Sequence, residues 1–268
     1  MRLAGLLAAG ALTTLSPFVA FAAPRVVSLD QCADQYVLAL SPRDAIAGLS
    51  KRSHNPDSYL RAAAAGLPER RATSESILAA DPLVVVRYWG GDARLTADLE
   101  RRGVVVISLE DATDFAGVRR NIRRVAAALA QRAAGERLVA RMDRTLAGDA
   151  GAWHGAPALY LTSGGFTAGP DTLIDAMLSA PGLRNLARRA GFHEVPLETL
   201  VLHPPSAIVR GFFDVFSIAV QQWGYGRQPV VSRLMRGRTI VSLPANILGC
   251  PAWFAADGVS RIASVAPR

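Results

Sequence analysis

Lysine is almost absent from this sequence of 268 residues: Lys51 is the only one, although lysine and arginine together number 30. The formal net charge of +8 is therefore carried by arginine, which is interleaved with alanine and leucine along helical segments. Arms that bind nucleic acid carry clustered basic tracts, and the sequence has no such tract. The charge is typical of solvated helix faces, and we expect no nucleic-acid partner.

Long apolar runs are missing after the first residues, since no later stretch reaches the roughly 18 uninterrupted apolar residues of a membrane span. At the start, Arg2 precedes an apolar core that ends in the small-residue triplet Ala20–Ala22. This order predicts a secretory signal peptide over residues 1–22 and a mature chain that begins near Ala23. A retained membrane anchor is the alternative, but the apolar stretch is short and Pro17 interrupts it.

Cysteine is limited to Cys32 and Cys250, and neither lies in a zinc-binding pattern. In an oxidising compartment a lone pair of thiols usually forms one disulfide. Cys32 follows the first predicted strand and Cys250 follows the last, so a bridge would tie the start of the chain to its end. Two free thiols that line a cleft are the alternative.

Motifs of catalytic sites are also missing. The segment around Ser163 is not a G-x-S-x-G elbow, and the chain has no H-E-x-x-H, no P-loop and no G-x-G-x-x-G after a strand. The histidines are scattered without metal-ligand spacing, at His54, His154, His193 and His203. The sequence therefore favours binding over catalysis and predicts no resident metal or cofactor.

Short β-branched runs alternate with helical patterns, which indicates an α/β fold with buried parallel strands. The predicted strands are Arg25–Leu29, Ala45–Ser50, Leu83–Val86, Val104–Leu109, Ala158–Gly165, Ala207–Arg210 and Thr239–Leu243. From Asp114 to Ala147 the pattern is helical throughout, with a break predicted near Gly135. The helical segment thus divides the strands into two groups.

One stretch of the chain recurs with a constant offset of 123 residues: SESILAADPLVVVRYWGG at 74–91 and LETLVLHPPSAIVRGFFD at 197–214. The equivalent pairs are Glu75 and Glu198, Pro82 and Pro205, Val86 and Val209, and Arg87 and Arg210. Each copy predicts a helix that begins at a carboxylate and ends before a proline, followed by a buried strand. We therefore expect the same helix, loop and strand in two lobes.

The repeat predicts two Rossmann-like lobes that face each other across a ligand cleft. Residues 23–133 are expected to form the N-terminal α/β lobe, 134–152 a long connecting helix, and 153–268 the C-terminal α/β lobe. Ligands of open α/β sheets bind at the carboxyl ends of the strands. Arg87 and Arg210 follow strands at those ends, so both are expected in one cleft.

Three segments resemble a known family: RVVSLDQCADQYVLAL at 25–40, SESILAADPLVVV at 74–86 and TAGPDTLIDAMLSAPGLRNLA at 167–187. They are similar to the periplasmic binding proteins of ABC importers for iron complexes and cobalamin, which include vitamin B12, ferric siderophore and haem binders. The resemblance covers essentially the whole mature chain. It implies a periplasmic protein with a rigid connecting helix, a ligand held between the lobes and little hinge closure.

The resemblance also implies partners. A surface glutamate on each lobe pairs with permease arginines in that family, and Glu75 and Glu198 are similar to these by position. It implies a monomer that serves an ABC permease in the inner membrane and its ATPase. The alternative is that each glutamate only stabilises its own helix start, by about 0.3–1 kcal/mol. A lobe that reports a ligand to a membrane receptor is an alternative of a different class.

Arginines and aromatic residues follow the predicted strands at the expected cleft. The predicted ligand-binding residues are Arg52, His54, Arg87, Tyr88, Trp89, Arg210, Phe212 and Trp253. Aromatic rings supply contact area, and guanidinium groups bind oxyanions in a fork geometry. The combination predicts a large, flat or apolar ligand that bears negative charge, although core packing is the alternative for each aromatic residue.

A ferric siderophore or a similar iron chelate is the preferred ligand on these grounds, bound as cargo and not as a cofactor. Cobalamin, a corrinoid, is the second choice and haem the third. A haem site would be expected to offer an axial tyrosine or histidine, and Tyr88 and His54 are available.

Overall fold

The computed structural model describes residues 23–88, 90–195, 202, 204–212 and 236–267. The predicted signal peptide, Trp89 and Glu198 lie outside these residues. Within the described part of the chain, no helix is both long enough and apolar enough to cross a membrane.

The N-terminal lobe contains five strands and four short helices. The strands are β1 (Val26–Ser28), β2 (Ile46–Ser50), β3 (Glu69–Arg70), β4 (Val84–Tyr88) and β5 (Val105–Leu109). The helices are α1 (Gln31–Leu40), α2 (Arg61–Ala64), α3 (Ser74–Leu78) and α4 (Ala93–Arg101), with a 3₁₀ turn at Arg43–Ala45. All five strands are parallel, in the order β3-β2-β1-β4-β5. The central strands β1 and β4 are rich in fully buried valine, as expected of a sheet covered on both faces.

The C-terminal lobe contains six described strands and three described helices. The strands are β6 (Pro157–Thr162), β7 (Phe166–Ala168), β8 (Arg184–Asn185), β9 (Phe192–Glu194), β10 (Ala207–Gly211) and β11 (Thr239–Leu243). The helices are α7 (Leu173–Ser179), α8 (Ala245–Leu248) and α9 (Ala255–Ala263). A parallel sheet has the order β11-β10-β6-β8, and β7 pairs with β9 as a separate antiparallel ribbon. The predicted strand Ala158–Gly165 ends earlier, at Thr162, because the chain turns at Gly165 with φ +83°.

The strand that was predicted in each copy of the sequence repeat is confirmed. Strands β4 and β10 begin and end at positions that differ by the same 123 residues. Each lies between two parallel neighbours in its own sheet. The fold is therefore α/β with two parallel sheets, as predicted.

Two helices connect the sheets: α5 (Phe115–Ala128) and α6 (Arg132–Asp149). The break predicted near Gly135 was wrong, since the chain breaks at Ala130, which has φ +55°. Gly135 instead lies inside α6. A Cβ at this position would meet the Cβ of Ala126 at 2.5 Å, so the missing side chain allows α5 and α6 to pack closely. Helix α6 also packs against α9, and it thereby joins the two lobes.

Residues 249–257 hold the lobes together. A disulfide joins Cys32 in α1 to Cys250, with the two Cα atoms 5.3 Å apart. One helical turn further along α1, the Tyr36 hydroxyl donates to the Pro251 carbonyl at 2.7 Å. The Tyr59 ring stacks on that of Phe254, with the centroids 4.2 Å apart. These ties agree with the small hinge movement that the family resemblance implies.

Candidate functional site

Two adjacent cavities lie at the carboxyl ends of the N-terminal strands. Cavity 1 has a volume of about 380 Å³ and is lined mainly by loops that follow β1, β2, β3 and β4. Cavity 2 has a volume of about 270 Å³ and receives residues from both lobes. They share Tyr88, Gly249 and Cys250, so the tyrosine and the disulfide stand between them.

Arg87 lines cavity 1 and carries its main positive charge. Its guanidinium donates to the Thr96 hydroxyl at 2.6 Å and to the Tyr88 carbonyl at 3.2 Å. No carboxylate of the described residues lies within ion-pair distance of it. Among the described residues the guanidinium therefore bonds only neutral groups. Its positive charge is available for an anionic group of a ligand.

The other charged groups of cavity 1 already have partners. Arg52 lies 3.7 Å from the Asp57 carboxylate. Asp30 caps α1 by accepting from the backbone of residues 32 and 33, and it also accepts from the Tyr88 amide at 2.6 Å. Asp92 caps α4 through the amides of residues 94 and 95. Capping satisfies these two carboxylates, and Arg87 is left as the group most able to bind an anion.

Gln31 adds an acceptor to the wall of cavity 1. The residue is only 7 % exposed, and its Oε1 atom has no hydrogen-bond partner among the residues that the structure describes. Its position at the start of α1, beside the disulfide, fixes this amide in the wall. A buried amide oxygen without a partner is costly, and a donor on a bound ligand would remove that cost.

The wall of cavity 1 is supported from below by a buried carboxylate. Asp34 in α1 is fully buried and accepts hydrogen bonds from Ser28 at the end of β1 and from the amide and hydroxyl of Ser50 at the end of β2, at 2.8 and 2.6 Å. Burial raises the pKa of Asp34 from 3.8 to about 6, against the opposing effect of these hydrogen bonds. The network holds two strand ends and α1 in fixed relative positions.

Cavity 2 combines carboxylates with apolar surface. Asp111 follows β5 and accepts a hydrogen bond from the Tyr88 hydroxyl, and Asp171 precedes α7 in the opposite lobe. Ile174, Met177 and other side chains of α7 and α8 supply apolar contacts. The cavity is thus chemically different from cavity 1.

The structure brings only some of the predicted residues together. Arg52, Arg87 and Tyr88 line the cavities, as do both cysteines. Arg210, in contrast, lines neither cavity, because its guanidinium bonds the hydroxyl of Ser242 on the adjacent strand at 2.7 Å. Arg210 therefore does not share either of these two cavities with Arg87, and the joint clamp of the two arginines stays a prediction.

The remaining predicted residues lie elsewhere. His54 lines neither cavity and is 3.7 Å from the Glu69 carboxylate. Phe212 also lies outside both linings, at the end of β10 with φ +60°. Trp253 is 6 % exposed and packs edge-on against Tyr36, with the ring centroids 5.5 Å apart, so the core-packing alternative holds for this residue.

Sequence reasoning missed Gln31, Asp111, Asp171 and Phe192. Asp111 follows a correctly predicted strand, and this position was a signal that could have identified it. Phe192 follows a glycine at the start of the three-residue strand β9 and is 62 % exposed, which is unusual for a phenylalanine. Only the packing of the lobes places it with the others.

Comparison with known proteins agrees with this architecture. Residues 26–212 match the family described as "Periplasmic binding protein", and this range is more than half of the chain. The chain belongs to the periplasmic binding protein family. The family and the structural neighbours named below are binding proteins.

Individual relatives are distant. The chain is 27% identical over 197 residues to a cobalamin-binding protein of Halobacterium salinarum, covering 70% of this chain and 53% of that protein. It therefore spans about half the length of this curated relative. A periplasmic heme binding protein from Pseudomonas aeruginosa is 22% identical with a TM-score of 0.70, over 91% of this chain and 92% of that one. A periplasmic vitamin B12 binding protein of Vibrio cholerae is 18% identical with a TM-score of 0.62, over 91% and 97%.

Proposed function

We propose that this periplasmic binding protein is the solute-binding component of an ABC importer, and that it captures a metal chelate and delivers it to an inner-membrane permease and its ATPase. The chelate we propose first is a ferric siderophore. The observation that carries the proposal is the pair of cavities at the strand ends, with the Arg87 guanidinium in one of them and no carboxylate paired with it among the described residues.

Two other ligands of the same general class have specific support. Cobalamin is favoured by the name of the curated relative, and haem by the names of structural neighbours that include the Pseudomonas aeruginosa protein. In the structure, Tyr88 is a cavity-lining candidate for an axial haem ligand, whereas His54 is not. Sensing of a ligand for a membrane receptor would use the same cavities, and a neighbouring permease gene and ATPase gene would favour import.

Binding to a defined panel tests the proposal. The purified mature protein is titrated with a ferric catecholate, a ferric hydroxamate, cyanocobalamin and haem, and tryptophan fluorescence and calorimetry report the affinity. The proposal expects micromolar or tighter binding of at least one of the four. Failure of all four to bind would reject metal chelates as the ligand class.

Arg87→Ala is expected to weaken binding of the best ligand of that panel by about ten- to a hundredfold. The reason is the loss of a hydrogen bond between a charged donor and an anionic group, which contributes about 1.5–3 kcal/mol. Arg87→Lys should recover only part of the affinity, because an ammonium lacks the bidentate fork. Calorimetric titration measures all three proteins.

Arg94→Ala is the matched control, since Arg94 is exposed on α4 and lines neither cavity. It should bind like the wild type. Equal affinity of the Arg87→Ala protein, with an unchanged melting temperature, would reject the anion-binding role of Arg87.

We further propose that Glu75 and Glu198 contact the permease. Glu75 is exposed in the first turn of α3, whose N-cap is Thr73. Reversal of both charges to lysine should abolish uptake of the bound chelate while leaving its affinity within about twofold, because like charges across an interface cost several kcal/mol. Uptake is measured in cells that lack the chromosomal copy of the gene.

The control for this charge reversal is Glu100→Lys, at an exposed position of the N-terminal lobe, which also contains Glu75. It should transport normally. Normal transport by the double variant as well would mean that the two glutamates only stabilise their own helices.

A further inference from the structure

Cavity 2 has an acidic lining. Asp111 reaches it from the N-terminal lobe and Asp171 from the C-terminal lobe, and no arginine, lysine or histidine lines it within the described part of the chain. Carboxylates from two lobes thus face one space of about 270 Å³. A carboxylate accepts hydrogen bonds and cannot donate them.

The two carboxylates have spare acceptor capacity. Asp111 accepts one hydrogen bond, from the Tyr88 hydroxyl, although its two oxygens offer about four lone-pair sites. Asp171 is exposed in a left-handed backbone conformation, with φ +62°, and its side chain has no hydrogen bond or ion pair in the described residues. Both can therefore accept from a bound group.

Apart from the hydroxyl-bearing Tyr88, Thr113 and Thr172, the other side chains that line cavity 2 are apolar. Ile174, Met177 and Ile247 are 8 %, 2 % and 3 % exposed, so they form a fixed wall. Phe192 stands 62 % exposed beside them, on strand β9 of the antiparallel ribbon. An exposed aromatic ring next to a cavity offers apolar surface that a ligand can bury.

Cavity 1 does not offset this acidity. Its lining contains two positively charged residues, Arg52 and Arg87, and three negatively charged ones, Asp30, Asp57 and Asp92. The described linings of the two cavities together therefore carry two arginines and five aspartates. A chelate with several negative charges spread over its surface would meet repulsion from Asp111 and Asp171 in cavity 2, whereas Arg87 attracts an anionic group in cavity 1.

We propose that cavity 2 is a subsite for an uncharged or cationic donor group, a carboxamide or an ammonium on an apolar body, and that Asp111 and Asp171 reject a carboxylate at the same place. This inference rests on the proposed function, because it assigns one part of the ligand to one part of that binding site. It narrows the ligand to a chelate with one anionic group for Arg87 and donor groups on the opposite side.

Matched ligand pairs test the subsite. One pair is cyanocobalamin and a derivative in which one peripheral carboxamide has been hydrolysed to a carboxylate. The second pair is a linear ferric trihydroxamate with a terminal ammonium and its N-acetylated, uncharged form. A third pair is haem and its mono-amide, in which one carboxylate is a carboxamide and the other is kept for Arg87. Affinities are measured for the wild type, Asp111→Asn, Asp171→Asn, the double variant and the control Asp44→Asn, which alters an exposed aspartate outside both cavities.

The wild type and the control are expected to prefer the amide form of a bound macrocycle, or the ammonium form of the hydroxamate, by about tenfold. The double Asn variant should lose this preference at an unchanged melting temperature, because it should bind the carboxylate forms more tightly and the ammonium form more weakly than the wild type does. Equal affinity for both members of every pair that binds would overturn the subsite and leave the proposed function standing. Failure of every probe to bind would reject the proposed function and the subsite with it.

Discussion

Replacing both cysteines with serine is expected to lower the free energy of unfolding by about 5 kcal/mol. The bridge closes a loop of 218 residues, and in the chain-entropy account the stabilisation grows with loop length. Domains of this kind are typically stable by about 5–15 kcal/mol, so the change is large. Urea unfolding followed by tryptophan fluorescence measures it.

Reductant separates the bridge from other effects of the substitution. Dithiothreitol should shift the wild-type midpoint to that of the Cys32→Ser/Cys250→Ser protein and leave the double variant unchanged. Tyr36→Phe is a useful second control, because it removes the hydroxyl that donates to the Pro251 carbonyl while leaving the disulfide in place, and it should cost about 1 kcal/mol. Two titratable thiols in the denatured, unreduced wild type would contradict the bridge.

The stability contributed by Asp34 is expected to depend on pH. Its pKa is 3.8 in the unfolded chain and about 6 in the folded protein, so folding favours the protonated form. The contribution is therefore fully present below about pH 4 and is lost as the pH rises through about 6. A shift of about two units corresponds to about 3 kcal/mol. Urea unfolding of the wild type and Asp34→Asn at pH 4, 5, 6 and 7 measures it.

The asparagine variant carries no ionisable group at position 34, so the stability of the wild type relative to the variant should fall by about 2.5 kcal/mol between pH 4 and pH 7. Asp44→Asn is the matched control, at an exposed aspartate, and its difference from the wild type should change little over the same range. A difference for Asp34→Asn that stays constant with pH would show that the carboxyl group is not held in its protonated form by burial.

The sheets could be predicted from the sequence because buried parallel strands need β-branched residues in short runs. The predicted strands that include Val26 and Val85 agree with the structure to within one or two residues at each end. Strands β3 and β8 were missed, since two residues are too few to produce a pattern. The repeat was informative because equivalent positions in two lobes carry the same local chemistry.

The site could be predicted only in part. Arg87 follows a strand at its carboxyl end, and local sequence places it correctly. Arg210 has the same local context, and each arginine has a serine as its direct neighbour in the register, Ser108 for Arg87 and Ser242 for Arg210. The Arg210 guanidinium bonds Ser242, whereas that of Arg87 bonds Thr96 in α4, and this difference cannot be read from either copy of the repeat.

The acidic character of cavity 2 had only one signal in the sequence, the position of Asp111 after a predicted strand. Asp111 and Asp171 are polar residues in loops, and loops are usually polar for reasons of solvation. They are 60 positions apart in the chain, and only the docking of the lobes brings them to one cavity. Composition alone would predict a basic cavity instead, because the chain has a formal net charge of +8.

Native mass spectrometry of the protein purified from its own periplasm tests the central claim, that the cavities hold a metal chelate. The account predicts a chain that begins near Ala23 and carries one small metal-containing adduct. The adduct should be released on denaturation and should have an absorbance spectrum that identifies a ferric chelate, a corrinoid or haem. A protein that carries no such adduct, and that binds none of these chelates when they are added, would contradict the account.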